Sequence, residues 1–131
     1  KGKRLVGLTC SGGGATLLAD HAEKIGLDFT RPSKKTTKRL TRLLHYTATV
    51  SNPLDYTTPI WGIPERVLPV FETILTDPYD AAIFVQDYPP PELDESKPFY
   101  LSDAKSFIEA SSKVRIPSAI CSTLPENMDQ S

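Results

Sequence analysis

This sequence of 131 residues is poor in the groups that usually advertise chemistry: two cysteines, two histidines, one tryptophan and one methionine. Two cysteines, Cys10 and Cys121, set no disulfide framework, and no C-x-x-C spacing is present for redox or zinc chemistry. Both read as reduced, small, buried residues in a cytoplasmic protein. The place of Cys10 just before a helix start is one that can lower a thiol's pKa. His21 falls inside one helical stretch and His45 near the end of another, so both read as structural or surface groups, and no catalytic residue and no metal site is expected. A net charge of only −1 gives no field of one sign to favour nucleic acid or a membrane, although residues 31–42 are locally basic. No apolar run approaches the ~20 residues of a membrane span, and the N-terminus lacks a signal-peptide pattern. No internal repeat is present.

What is there is punctuation and periodicity. Twelve prolines fall mostly between periodic segments and separate elements. Arg4–Cys10 reads as a buried strand, and Ala15–Ile25 as a helix closed by Gly26. Asp28–Pro32 fits a short second strand, and Lys34–Leu44 a helix capped by Ser33, with Leu40, Leu43 and Leu44 inward. Ala48–Ser51 fits a third strand, and Pro64 to about Leu75 a helix that tolerates Pro69 in its first two turns. Ala81–Gln86 is a continuous apolar strand, Tyr88–Pro98 a proline-rich loop, Ser102–Ser111 a helix capped by Ser102, and Pro117–Cys121 the last strand. Alternating strands and amphipathic helices predict a parallel sheet covered on both faces. Five strands favour a flavodoxin-like, doubly wound, three-layer αβα sandwich of order 2-1-3-4-5, with the final helix missing after the fifth strand, as in a fragment of a larger multidomain protein. Such a fragment would expose a former contact surface, for which Trp61, Tyr88, Phe99 and Tyr100 are the candidates.

Two loops carry the candidate site. In an open parallel sheet, ligands bind beyond the carboxyl ends of the strands. Ser11-Gly12-Gly13-Gly14 sits there, between the first strand and the first helix. Glycines permit unusual φ and close backbone approach, free amides at a helix start attract an anion, and Ser11 adds a hydroxyl. The stretch is neither a Walker motif nor a full G-x-G-x-x-G, and close strand–helix packing alone also accounts for the glycines. The second loop, Ser51-Asn52-Pro53-Leu54-Asp55-Tyr56, follows the third strand, which puts Asn52 and Asp55 beside the glycines. A simple Asx-type turn explains these six residues equally well.

Together the two motifs resemble one family. Thr9-Cys10-Ser11-Gly12-Gly13-Gly14-Ala15-Thr16-Leu17-Leu18-Ala19-Asp20, then Ser51-Asn52-Pro53-Leu54-Asp55, then Ser122-Thr123-Leu124-Pro125-Glu126 are similar to the corresponding motifs of NDP-forming acyl-CoA synthetases, relatives of succinyl-CoA synthetase. Lys34 and its neighbours in "SKKT" look like that family's short helix start. Ser51 and Cys10 depart from its usual glycine and small polar residue. The resemblance implies that residues 1–131 form the second flavodoxin-like domain, inactive alone. It would work with neighbouring domains or subunits that bear the phosphohistidine, bind CoA and supply an ATP-grasp fold. CoA, ATP or GTP, and Mg are implied for the whole enzyme and none for this domain alone. Ser11, Gly12, Gly13 and Gly14 would cradle a phosphohistidine, with Asn52 and Asp55 as a supporting loop. No Gly-His-x-Gly loop is present to supply the histidine. Two other readings use the same loops: a non-catalytic ligand-sensing domain of a protein acetyltransferase, and a free-standing module for a phosphorylated ligand or flavin.

Overall fold

Leu5–Thr9 forms strand β1, and all five of its residues are buried. Burial on both faces is what a continuous apolar run inside a parallel sheet requires. The computed structural model describes residues 2–90, 92 and 95–127. Pro91, Leu93 and Asp94 of the expected proline-rich loop lie outside the described residues, as does Ser131, where the final helix is expected to be missing.

After β1 come α1 (Gly12–Lys24), α2 (Lys34–Leu43), β2 (Leu54–Asp55), α3 (Pro64–Ile74), β3 (Ala81–Gln86), α4 (Lys97–Val114) and β4 (Ser118–Ser122). The sheet is parallel throughout, in the order β2-β1-β3-β4. Helix α1 lies against one face, where a Cβ on Gly7 would stand 3.0 Å from Leu18 Cδ1. On the other face Val6, Leu8, Ala82 and Phe84 join Leu40 of α2, Val67, Val70, Phe71 and Ile74 of α3, and Ala104, Phe107 and Ala110 of α4 in the main core. Phe71, Phe84, Phe107 and Tyr56 are fully buried there, with ring centroids 5.1–6.3 Å apart. Each such ring contributes about 2–3 kcal/mol by leaving water.

The helices follow their local chemistry. Ser33 caps α2 by accepting from Thr36 N, and Gly26, at φ 70°, closes α1 in the left-handed conformation that favours glycine. Pro69 is accommodated inside α3.

The sheet has four strands among the described residues where five were expected, and the fold is consistent with the flavodoxin-like class without the fifth strand. One side chain accounts for both losses. Asn52 Oδ1 accepts from Gly7 N at 2.9 Å, while Nδ2 donates to Leu5 O at 2.7 Å and Thr30 O at 2.8 Å. An amide side chain thus takes the ladder position on the free edge of β1. The expected second strand shrinks to one bridge, Arg4 to Asp28, because the chain then turns to Asn52 at Thr30. The expected third strand, Ala48–Ser51, does not pair at all. Backbone pairing resumes only at Leu54 and Asp55, opposite Leu8 and Thr9.

Two helix starts also differ. Gly12–Gly14 are the first turn of α1 and not a loop before it, so they need no positive φ. Helix α4 begins at Lys97, five residues before the expected Ser102 cap, because Pro98 fits a first helical turn that lacks N–H acceptors. Ser102 lies inside the helix, its carbonyl accepting from Ser106 Oγ. Cys10 is buried as expected, but Cys121 is exposed, as is Ala119 on the same face of β4.

Candidate functional site

The carboxyl edge of the sheet is where β1, β2 and β3 end and α1 begins. Ser11 is the N-cap of α1: its Oγ accepts from Gly14 N at 3.4 Å and its carbonyl from Ala15 N at 3.1 Å. Ser11 N donates back to Thr9 Oγ1. The amides of Gly12 and Gly13, in the first turn, have no acceptor within the helix and point beyond the sheet edge. The glycines are unequal in their steric demands. A Cβ at Gly14 would come 2.6 Å from Thr9 Oγ1, whereas at Gly12 and Gly13 it would meet its nearest neighbours at an ordinary 3.6 Å. Packing against the sheet therefore explains Gly14 and leaves Gly12 and Gly13 unexplained.

Asp55 and Asn52 part company. The carboxylate of Asp55 stands beside Gly12, and its Oδ1 accepts from Thr57 N at 2.9 Å. Asn52 sits midway along β1, away from the glycines, and orders the sheet. Asp55 is thus at the candidate site and Asn52 is not. Thr57, next in line, has φ 66° and ψ 150°, a region nearly reserved for glycine and costing about 1–3 kcal/mol. Backbone strain of this size collects at functional sites.

A second polar group lies below the edge on the α4 side. Asp103 of α4 is fully buried, accepting from Tyr56 OH at 2.6 Å and Gly62 N at 2.9 Å. Burial pushes its carboxyl up to about 6, against the opposing pull of those two donors. Burial, then Asp103, raises Tyr56 well above the ordinary phenol. Burial, then Asp103, Asp87 and Asp55, pushes the Cys10 thiol up to about 11. Cys10 is therefore the small buried residue that was expected: desolvation and three carboxylates hold the thiol protonated, and its place before the helix start does not activate it. Among the described residues, Thr57 Oγ1, Trp61 Nε1 and Gln86 Oε1 are buried here with no hydrogen-bond partner.

Sequence reasoning missed Asp103, Tyr56, Thr57 and Gln86. Asp103 had a signal, an acid at helical spacing among Phe99, Tyr100, Ala104 and Phe107. Of the expected aromatic contact surface, Tyr88 is buried and Phe99 is 49% exposed. Trp61 packs tilted against Phe99 and edge-to-face against Tyr100, with centroids at 5.3 and 4.8 Å. His21 is exposed on α1, about 15 Å along the helix from Ser11. His45 Nδ1 bonds Thr47 Oγ1 at 2.8 Å. Among the described residues, no hydrogen bond joins either histidine to Ser11, the glycines or Asp55. Among the described residues, no helix is long and apolar enough to cross a membrane and no metal-ligating cluster of three is present.

No family model and no curated protein matches this chain. Solved structures do. The protein PH0766 from Pyrococcus horikoshii OT3 superposes with a TM-score of 0.76 at 26% identity, over 96% of this chain and 29% of its own. Dinucleotide forming acetyl-coenzyme A synthetase 1 from Ca. Korarchaeum cryptofilum, in complex with phosphate and ADP, gives 0.70 at 18% identity, over 92% of this chain and 25% of its own. Its apo form gives 0.65 at 20% identity over the same shares. The chain thus spans 25–29% of the length of these neighbours. The resemblance first seen in short motifs extends to the fold, and an acetyl-CoA synthetase is among the structures that share it.

Proposed function

We propose that this chain is one domain of an NDP-forming acyl-CoA synthetase, and that the start of α1 receives the phosphoryl group of a histidine carried by another domain. The observation that carries this reading is the pair Gly12 and Gly13. Neither is required by packing or by backbone conformation, and both weaken a helix start. They do leave two unhindered amides at the positive end of a helix dipole, which suits a phosphoryl dianion. Ser11 shapes that turn, and Gly14 lets it close onto Thr9.

Asp55 fits the same reading. A carboxylate beside Gly12 repels a free phosphate. It favours a phosphoryl group borne on a ring that also offers an N–H, as an imidazole does. The amides would take the phosphoryl oxygens while Asp55 accepts the ring proton. CoA, ATP or GTP, and Mg would be bound by neighbouring domains, and the isolated domain would not turn over.

Backbone amide NMR of the 131-residue chain, titrated with N-phosphohistidine and with inorganic phosphate, tests this. Shifts should concentrate at Gly12, Gly13 and Asp55, with phosphohistidine binding more tightly than phosphate. Asp55→Asn should narrow that preference. Shifts scattered elsewhere, or a preference for free phosphate, would overturn the reading.

A further inference from the structure

The most uneven charge in the molecule lies away from the carboxyl edge. Between Phe29 and Leu54 there is no Asp or Glu, and six of the fifteen Lys and Arg residues occur there: Arg31, Lys34, Lys35, Lys38, Arg39 and Arg42. The remainder of the chain holds nine basic residues against all sixteen acids. None of the six is ion-paired among the described residues, where the pairs formed are Arg4 with Asp80 and Lys113 with Glu72. Three of the six, Arg31, Lys34 and Lys38, line a cleft of about 510 Å³ with Pro32, Thr37 and Val50. That volume lies within the range of small-molecule sites. No carboxylate lines it.

The helix start is not itself the feature. Ser33 Oγ already accepts from Thr36 N, and Asp77 accepts from Ser33 N, Ser33 Oγ and Thr36 Oγ1 at 2.7–2.9 Å. Those contacts fill the terminus from the side of the loop before β3. The cleft opens on the other side of Arg31. What it adds is cations where helix physics disfavours them. Lys34 and Lys35 occupy the first turn of α2, which has no acid, so two positive charges sit at the positive end of the dipole. Asp77 offsets the dipole from one side only, and on the cleft side the cations meet no carboxylate, which marks that surface as one kept for something else.

We infer that this cleft binds a small ligand carrying two linked phosphates. Lys34 and Lys38 are one turn apart on the same face, about 5–6 Å between their Cβ atoms, and Arg31 closes the third side. Linked phosphates can engage both lysines and the planar guanidinium together, whereas a single phosphate reaches fewer of them. Pro32 and Val50 give an apolar wall to whatever bears the phosphates. The cleft is independent of the glycine turn at the other end of the sheet, so it stands or falls separately from the phosphohistidine reading.

Isothermal titration of the full chain with inorganic pyrophosphate, orthophosphate and a short single-stranded oligonucleotide tests it. Pyrophosphate should saturate a single site, with orthophosphate at least about tenfold weaker. Lys34→Ala with Lys38→Ala should abolish most pyrophosphate binding, while Lys105→Ala, an exposed cation on α4, leaves it unchanged. The double variant should melt no lower than the parent, which separates lost binding from lost fold. Equal binding of phosphate and pyrophosphate, retention in the double variant, or binding only of the oligonucleotide would overturn the inference.

Discussion

Gly12, Gly13 and Gly14 look alike in the sequence and should behave differently on substitution. Alanine in a helix is favoured over glycine by about 0.5–1 kcal/mol, and at Gly12 and Gly13 nothing stands closer than 3.6 Å to the added Cβ. Gly12→Ala and Gly13→Ala should each raise the unfolding free energy by about 0.5 kcal/mol. Gly14→Ala must displace Thr9 Oγ1, which would be 2.6 Å away, and should lower it by about 1–3 kcal/mol. Urea denaturation of the three variants reads this directly. The two stabilising changes should also weaken phosphohistidine binding, because the methyl groups line the approach to the amides. If Gly12→Ala and Gly13→Ala were stabilising with binding intact, these glycines would have no ligand role. The same scale shows why a motif can mislead. Asn52 belongs to a loop that looks like site chemistry, yet its three hydrogen bonds all hold backbone. Only the atoms it meets distinguish it from Asp55.

Among the elements, β1, β3, β4, α2 and α3 were legible to within about a residue, the strands from apolar runs bounded by turn residues and the helices from a clear period with a capping serine or a proline at the start. The pairings of residues 28–55 were set by something not local. A polar side chain standing in for a strand erased residues 48–51 and most of 28–32 from the sheet, and no period reports that. Three glycines read as a loop, but a serine cap and the amide ladder carry the helix through them. Of the candidate site, the cap at Ser11 and the turn at Asp55 were legible because cap and turn residues have fixed chemistry. Asp103 was not, since its significance comes from burial against Tyr56 and Gly62. That contact fastens α4 to the turn after β2 and has a testable pH signature. The ordinary carboxyl value is 3.8 and the folded one about 6, so the folded state binds the proton more tightly than the unfolded state. This group's stabilisation is complete below 3.8 and is lost as pH rises through about 6. The loss is of order 2–3 kcal/mol. Asp103→Asn keeps an acceptor for Gly62 N without the charge. Its stability relative to the parent should climb from pH 4 to pH 7, as measured by denaturation at each pH. A difference that stays flat with pH would show that Asp103 is not the titrating group.

At the scale of the whole molecule, a net charge of −1 conceals a basic face around α2 and an acidic remainder. The neighbouring like charges on α2 destabilise it through repulsion that salt screens within about 8–10 Å. Lys35 is the cleanest probe. It is exposed, it does not line the cleft, and it sits in the first turn, where the dipole favours the opposite sign. Lys35→Glu converts an unfavourable charge–dipole contact into a favourable one and relieves repulsion from Lys34, Lys38 and Arg39. It should stabilise the fold by about 0.5–1 kcal/mol at low ionic strength. Thermal melts at low salt and near 1 M salt separate this from a packing effect, because the gain must shrink as salt screens it, and the parent must gain more from added salt than the variant. Pyrophosphate supplies a further arm. If the cleft exists to gather phosphate charge, pyrophosphate should stabilise the parent through the same cations that salt only screens. The ligand effect should then persist, though smaller, in Lys35→Glu and vanish when Lys34 and Lys38 are both alanine. A gain from Lys35→Glu that is indifferent to salt would mean that the basic face costs the fold nothing, and that the charge segregation asks for no functional explanation.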